Sequence, residues 1–353
     1  MSETKVLLVG LGGFGRNHLR AWQEMKIGEN LYVAELQTEL HAELEIFNIP
    51  SDHISTNAAD FLDKVDVVDI VTPSTSHFEL CSMALKAGKD VFVEKPMTMT
   101  SEEATELAKL VKDTQAILQV GFYYRFHPIS NLLKTMIDRG DLGEIRYFSG
   151  NFMGFKRART DVGVTHTDGI HFIDLANWLL SALPTELYAV TRDHFSRGLE
   201  DCSLVLLQYP GGAFAKVESG YIQPGRWRDK VVPNAVTSKE IFICGTKATV
   251  EVDFETEYLV KHNVHQVFSN NTWTPVFEGT ETLNSNTATP IQMIVAELRD
   301  FLDCVSTRRH PAASEVGSGV VLAKIMESIY ESSDTKVPVN FEWSNEEALS
   351  LLG

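Results

Sequence analysis

The stretch Val6-Leu7-Leu8-Val9-Gly10-Leu11-Gly12-Gly13-Phe14-Gly15 is a four-residue apolar run that ends in a glycine-rich turn. The apolar run reads as a buried strand, and the residues from Phe14 to about Met25 carry a helical pattern. Gly10, Gly12 and Gly15 therefore form G-x-G-x-x-G between a strand and a helix. In that setting the first glycine makes the tight turn and the second lets the backbone approach a pyrophosphate. The third lets the helix pack closely on the strand. The free N–H groups and positive dipole end of the helix then face the phosphates. Gly10, Leu11, Gly12, Gly13, Phe14 and Gly15 are accordingly expected to line a dinucleotide. Glu35 stands twenty residues after Gly15, at the end of a second strand read over Leu31–Leu36. A carboxylate there accepts hydrogen bonds from both ribose hydroxyls and repels a 2′-phosphate. Leu36 and Gln37 follow it, with no arginine, so the expected cofactor is NAD rather than NADP.

Outward from this turn, short apolar runs alternate with helical patterns. A helix over Thr38–Phe47 stops near Pro50, and a weaker strand and helix lie between His53 and Leu62. Strands are expected at Asp66–Val71, Asp90–Val93 and Ala116–Val120, with helices at Ser76–Ala87 and Ser101–Val111. Such alternation means a parallel sheet covered on both faces. The pattern changes after Gly121. A helix over His127–Arg139, a strand over Glu144–Phe155 and a helix over Thr167–Leu180 come first. Strands then follow at Glu186–Arg192, Ser203–Tyr209, Ala213–Tyr221, Glu240–Cys244 and Thr249–Phe254. Strands without intervening helices indicate an antiparallel sheet. Two helices, Pro290–Ser306 and Glu315–Ser332, come near the end. The expected fold is an α/β Rossmann domain over residues 1–121, followed by an α+β domain over 122–353 for substrate binding and oligomerisation.

With 31 basic and 48 acidic residues the formal charge is −17, which argues against a protein that binds a nucleic-acid backbone. No apolar run is long enough to cross a bilayer, and Met1–Lys5 runs into the first strand without the apolar stretch of a signal peptide. Cys81, Cys202, Cys244 and Cys304 lie far apart, with neither zinc nor redox spacing. His262 and His265, three apart on a strand, point to opposite faces, so no metal site is expected. A soluble protein of a reducing cytoplasm is the expectation.

Asp90-Val91-Phe92-Val93-Glu94-Lys95-Pro96 closes a strand on Glu-Lys-Pro, and together with the glycine turn it resembles the Gfo/Idh/MocA family of oxidoreductases. Thr72-Pro73-Ser74-Thr75-Ser76-His77 is similar to that family's loop after the fourth strand, although the family often has asparagine at the place of Ser74. Gly121-Phe122-Tyr123-Tyr124-Arg125-Phe126-His127-Pro128 resembles its entry to the second domain. Gly169-Ile170-His171-Phe172-Ile173-Asp174 resembles its catalytic helix. The resemblance implies a Rossmann domain followed by an open-faced, mostly antiparallel sheet, with the last helices leaning back on the first domain. It also implies reversible hydride transfer between a nicotinamide and a secondary alcohol of a sugar, cyclitol or nucleotide sugar. Thr72, Pro73, His77, Glu94 and Lys95 become expected cofactor contacts, and dimers and tetramers both fit the family.

Lys95, at the carboxyl end of a parallel strand, can hydrogen-bond the reacting oxygen and stabilise alkoxide charge. His171 is the general acid/base candidate, since an imidazole titrates near neutrality. The family commonly has aspartate or asparagine four residues before that histidine. Here Thr167 stands there and Asp168 one place later, so either residue can orient the imidazole. The catalytic candidates are thus Lys95, His171 and Asp168. Lys156, Arg157 and Arg159 precede this helix and are candidates to hold an anionic substrate. Arg125, His166, Thr167 and Trp227, the last within Arg226-Trp227-Arg228, complete the expected substrate contacts. Two cationic clusters in an acidic chain point to a nucleotide sugar such as UDP-N-acetylglucosamine, oxidised at its 3-position. The alternatives are a free-aldose or inositol dehydrogenase, a keto-sugar reductase, or a non-catalytic NAD-binding regulator on the same fold.

Overall fold

A computed structural model of the chain describes residues 4–284, 288–311, 315–344 and 347. Two compact units emerge. The first holds residues up to Phe126 together with 288–324, and the second holds His127–Thr287 and the residues from Ile325 to Leu351.

The first unit is built on six parallel strands. They are β1 (Val6–Val9), β2 (Leu31–Ala34), β3 (Ile54–Ser55), β4 (Val67–Ile70), β5 (Asp90–Glu94) and β6 (Leu118–Gly121), in the order β3-β2-β1-β4-β5-β6. That is the doubly wound order, whose switch point lies between β1 and β4. Each residue of β1, β2, β4, β5 and β6 is buried, as expected for strands covered on both faces. The covering helices include α1 (Gly15–Glu24), α2 (His77–Lys86) and α3 (Ser101–Thr114). A capping box of Thr100 and Glu103 starts α3. The α-helix expected over Thr38–Phe47 is instead a 3₁₀ run in which Leu44 is the one buried residue. With no apolar stripe to bury, nothing holds that segment in a regular α-helix.

The second unit begins with α4 (Pro128–Asp138), β7 (Ile145–Phe155), a π-helical turn at Thr165–Gly169 and α5 (Ile170–Leu180). Its sheet continues with β8 (Glu186–Arg192), β9 (Cys202–Gln208), β10 (Phe214–Gly220), β11 (Trp227–Arg228), β12 (Val236–Gly245) and β13 (Thr249–Asp253). A long hairpin, β14 (Tyr258–Ser269) and β15 (Thr272–Asn284), forms the far edge. All pairings are antiparallel except β7 with β10. One face is covered by α5, where a Cβ on Gly150 would lie 2.9 Å from that of Phe172. On the other face Phe214 and Leu206 stay 48% and 40% exposed, so the sheet is open-faced as expected.

After the hairpin come α6 (Pro290–Thr307), α7 (Val316–Thr335) and β16 (Val339–Asn340). Within the first unit, α6 seats Phe301 against Phe92 of β5, ring centroids 5.9 Å apart. Lys324 and Ile325 of α7 mark the division between the units. The hairpin was not among the expected strands. Ser269 pairs with Thr272 around Asn270 and Asn271, both with positive φ, which is the two-residue asparagine-rich turn. All four cysteines are free. Among the described residues no helix is long and apolar enough to cross a membrane, and no cluster of side chains is suited to a metal ion.

Candidate active site

The glycine turn divides its labour. A Cβ on Gly10, whose φ is +101°, would lie 2.8 Å from the Val71 carbonyl oxygen. A Cβ on Gly15 would lie 2.2 Å from the Gly10 oxygen, so these two glycines are demanded by packing. At Gly12 and Gly13 a Cβ would meet no atom within 4 Å. Those two positions leave open backbone beside the first turn of α1, where a pyrophosphate fits.

Glu35 is 8% exposed and holds the turn directly. Its Oε2 accepts from Leu11 N at 2.6 Å and its Oε1 from Gln37 N at 2.9 Å. Each oxygen keeps a further lone pair for a ribose hydroxyl. No arginine directly follows Glu35 in the chain, but the fold brings Arg16, one residue into α1, into its electrostatic range. Its guanidinium is bidentate on Glu43, at 2.7 and 2.6 Å. That pairing raises the Arg16 pKa, with Glu35 adding to it.

After β4, Ser76 Oγ lies 2.8 Å from Thr72 Oγ1 and 2.8 Å from the Pro73 carbonyl. His77 is buried as a tie between backbones, with Nδ1 2.7 Å from the Pro96 oxygen and Nε2 3.0 Å from the Thr72 oxygen. It therefore braces the Thr72-Pro73 loop against the Glu-Lys-Pro loop. Lys95 is half-buried at the end of β5, where the Lys95–Pro96 peptide is cis. Its N–H donates to Glu94 Oε2 at 3.2 Å. Arg125 is buried in a 3₁₀ turn, with its guanidinium 4.8 Å from the Phe122 ring centre.

Below Glu94 lies a cluster that local motifs did not reveal. His18 on α1 is fully buried, with Nδ1 2.9 Å from Asp69 Oδ2 and Nε2 3.3 Å from Glu94 Oε1. Trp22 Nε1 donates to the same Asp69 oxygen at 2.7 Å. Burial alone would lower the His18 pKa, but Asp69 and Glu94 together push it up to about 10. Glu297 of α6 is also fully buried. Burial, then the charge of Glu94, raises its carboxyl well above the ordinary range, so it is held neutral. The only sequence signal was a histidine three places after Gly15, facing the core side of α1.

In the second unit, Lys156 leaves the end of β7 and pairs with Asp168 at 2.5 Å, both side chains nearly buried. Its ammonium also lies 4.7 Å from the Phe152 ring centre. The ion pair engages Asp168 Oδ1, while Oδ2 is buried with no hydrogen-bond partner among the described residues, and the Thr167 hydroxyl donates to the Gly163 carbonyl at 2.8 Å. His171 is half-buried and stacks on Phe152, centroids 6.3 Å apart. His166 is 6% exposed, and its Nδ1 lies 2.8 Å from Tyr330 Oη.

Of the five cations in the two clusters, Lys156, Arg159 and Arg226 stand beside carboxylates, while Arg157 and Arg228 are exposed. Arg159 is bidentate on Asp161, at 2.8 and 2.5 Å, and this holds the Asp161 carboxyl below its usual range. Arg226 lies 3.2 Å from Glu240, and Trp227 Nε1 donates to Asp253 at 2.8 Å. Arg157 stays exposed. The inference from charge placement to an anionic substrate thus loses Lys156, Arg159 and Arg226 to carboxylates of the same unit.

A model of the oxidoreductase family with an NAD-binding Rossmann fold, Gfo/Idh/MocA, matches residues 4–122. The model of that family's C-terminal domain matches residues 131–251. The scyllo-inositol 2-dehydrogenase (NAD(+)) of Bacillus subtilis strain 168 is 29% identical over 235 residues, 63% of this chain and 68% of that protein. The UDP-N-acetylglucosamine 3-dehydrogenase of Acidithiobacillus ferrooxidans is 31% identical over 196 residues, 54% of this chain and little more than half (58%) of its own length. Among solved structures, levoglucosan dehydrogenase in complex with NADH and L-sorbose superposes with a TM-score of 0.80 at 22% identity, covering 98% of this chain and all of that one (100%). The glycine turn, the Glu-Lys-Pro strand end and the open-faced sheet agree with both matched regions, and the chain belongs to the Gfo/Idh/MocA oxidoreductase family, with an NAD-binding Rossmann domain as its first unit.

Proposed function

We propose that this chain is an NAD-dependent dehydrogenase acting on a secondary hydroxyl of a neutral sugar or cyclitol. The observation that carries the substrate class is the internal pairing of Lys156, Arg159 and Arg226, which leaves Arg157 and Arg228 of the two clusters for a diphosphate. When bound, the nicotinamide supplies the hydride acceptor. Glu35 and the Gly12-Gly13 backbone hold the dinucleotide, and Thr72, Pro73 and Glu94 support its far end. Lys95 hydrogen-bonds the reacting oxygen and stabilises the alkoxide charge it gains as the O–H bond breaks, before the C–H electron pair leaves as hydride and the carbonyl forms. An imidazole of the second unit takes the hydroxyl proton, a role in which the family resemblance casts His171.

A nucleotide-sugar substrate is the second reading, favoured by the exposed Arg157. NADH absorbance decides between them when the protein is given scyllo-inositol, myo-inositol, levoglucosan and UDP-N-acetylglucosamine. Turnover of a neutral polyol, with Arg157→Ala leaving KM unchanged, is the expected result. Turnover of the UDP-sugar alone, with KM raised about tenfold or more in Arg157→Ala, would replace it with the second reading. The free cysteines fit a reducing cytoplasm, and the exposed Phe268, Trp273 and Phe277 of the long hairpin fit a homo-oligomer.

A further inference from the structure

Lys95 stands between two braced neighbours. After it, the Pro96 carbonyl oxygen lies 2.7 Å from His77 Nδ1. Before it, the Glu94 carboxylate accepts the Lys95 N–H through Oε2 at 3.2 Å. That second brace depends on where the carboxylate itself is held. The Glu94 side chain is buried, and its other oxygen, Oε1, forms an ion pair with His18 Nε2 at 3.3 Å.

His18 is fixed from behind. Its Nδ1 lies 2.9 Å from Asp69 Oδ2, an oxygen that also accepts from Trp22 Nε1 at 2.7 Å. The Phe14 and Phe92 rings pack beside the imidazole, with centroids 5.4 and 5.7 Å away. The charged and titratable groups that face it are Asp69 of β4, Glu94 of β5 and Glu297 of α6. Both ring nitrogens face carboxylate oxygens, which only accept, so both carry protons. Burial opposes that charge, and Asp69 and Glu94 outweigh it. Across from the imidazole, β6 makes room for the same carboxylate. A Cβ on Gly121 would lie 2.6 Å from Glu94 Oε1 and 3.0 Å from its carboxyl carbon. The seat of Glu94 thus has a cation on one side and a glycine on another, all within the first unit.

We propose that His18 is a positioning residue for Lys95 and acts through Glu94. Asp69 holds the imidazolium, the imidazolium holds the Glu94 carboxylate, and the carboxylate holds the Lys95 N–H at the end of β5. This rests on the reading above in which the Lys95 ammonium meets the reacting oxygen. His18 exchanges no proton with substrate, and it keeps both of its own. Loss of His18 leaves the ammonium present but shifts the backbone from which it extends. Such a misplacement weakens the transition state more than substrate binding, so kcat falls while KM holds.

The test compares amide hydrogen exchange at Lys95 and Val91 in the full-length ²H,¹⁵N-labelled protein. Val91 N–H donates to the Ile117 carbonyl at 2.8 Å and reports opening of the sheet itself. His18→Gln should speed exchange at Lys95 about tenfold or more beyond any change at Val91. Gly121→Ala, which crowds the Glu94 carboxylate with His18 intact, should do the same and serves where His18→Gln fails to fold. Lys95 exchange that is unchanged, or that rises no more than Val91 exchange, would overturn the proposal. With a compound that turns over, His18→Gln should lower kcat about tenfold or more with KM within about twofold. That loss should vanish when Glu94→Ala is already present. An equal loss in both backgrounds would also overturn the proposal, because His18 would then not act through Glu94. No turnover across the whole panel contradicts the dehydrogenase reading, while the exchange measurement still decides the link from His18 to Lys95.

Discussion

Gly12 and Gly15 stand three residues apart and answer to different forces. Gly15 is required by its own fold, because any Cβ would press into the Gly10 carbonyl at 2.2 Å. Gly12 has open space around it, so packing does not demand its lack of a side chain, and the proposed dinucleotide contact does. Gly15→Ala is therefore expected to lower the melting temperature outright. Gly12→Ala should leave stability within about 0.5 kcal/mol of wild type yet weaken NAD binding at least about tenfold. Thermal unfolding and calorimetric titration with NAD check both. Arg16 gives a second prediction at this scale. Its pairing with Glu43 withholds a cation from the ribose end of the site. Glu43→Ala should raise NADP affinity relative to NAD, measured by the ratio of the two dissociation constants. An unchanged ratio would remove Arg16 from cofactor choice. The place of Glu35 beside the turn was legible because it follows from a fixed spacing after the last glycine. Arg16 was not, because its partner Glu43 is 27 residues away and the two meet only in the fold.

The buried cluster joins four elements, with His18 on α1, Asp69 on β4, Glu94 on β5 and Glu297 on α6. Its ionisation makes the first unit's stability depend on pH. The folded pKa of His18, about 10, stands above its ordinary value of 6.5, so its contribution is complete below about pH 6.5 and is lost as pH rises towards 10. Glu297 is shifted in the same direction. The unfolded chain ionises it from its ordinary value of 4.5, while the folded one still holds the proton. Both terms make the protein less stable as pH rises, and the melting temperature should fall between pH 6.5 and 10. Glu297→Gln, which has no proton to lose, should flatten that fall. A wild-type melting temperature that climbs across this range would contradict the ionisation states assigned to the cluster. The elements themselves were mostly legible, because buried parallel strands are continuous apolar runs. What escaped were segments whose apolar pattern is weak. The 3₁₀ run at Thr38–Phe47 buries only Leu44, and the β14–β15 hairpin leaves much of its length exposed. The π-helical turn also escaped, since it stands ahead of α5, whose apolar spacing begins at Ile170.

At the scale of the whole chain, the change from alternating strands and helices to consecutive strands marked the second sheet correctly. The Glu-Lys-Pro strand end and the glycine turn marked the family. The substrate was much less legible. Arg157 and Arg159 look alike in sequence, but only the fold shows that Arg159 is held by Asp161. Charge clusters report composition, whereas ligand selection depends on which charges stay unpaired. An enzyme and a sensor on this fold would both bind NAD, and only the enzyme, on the proposed role of Lys95, would need its ammonium. The direct measurement is steady-state NADH formation from NAD and the panel of cyclitols and sugars, with wild type and Lys95→Ala compared at equal NAD occupancy. Turnover of at least one neutral polyol is expected, with a loss of about 100-fold or more in kcat for Lys95→Ala and NAD affinity retained. NAD binding without turnover of any compound, unaltered by Lys95→Ala, would contradict the proposed dehydrogenase.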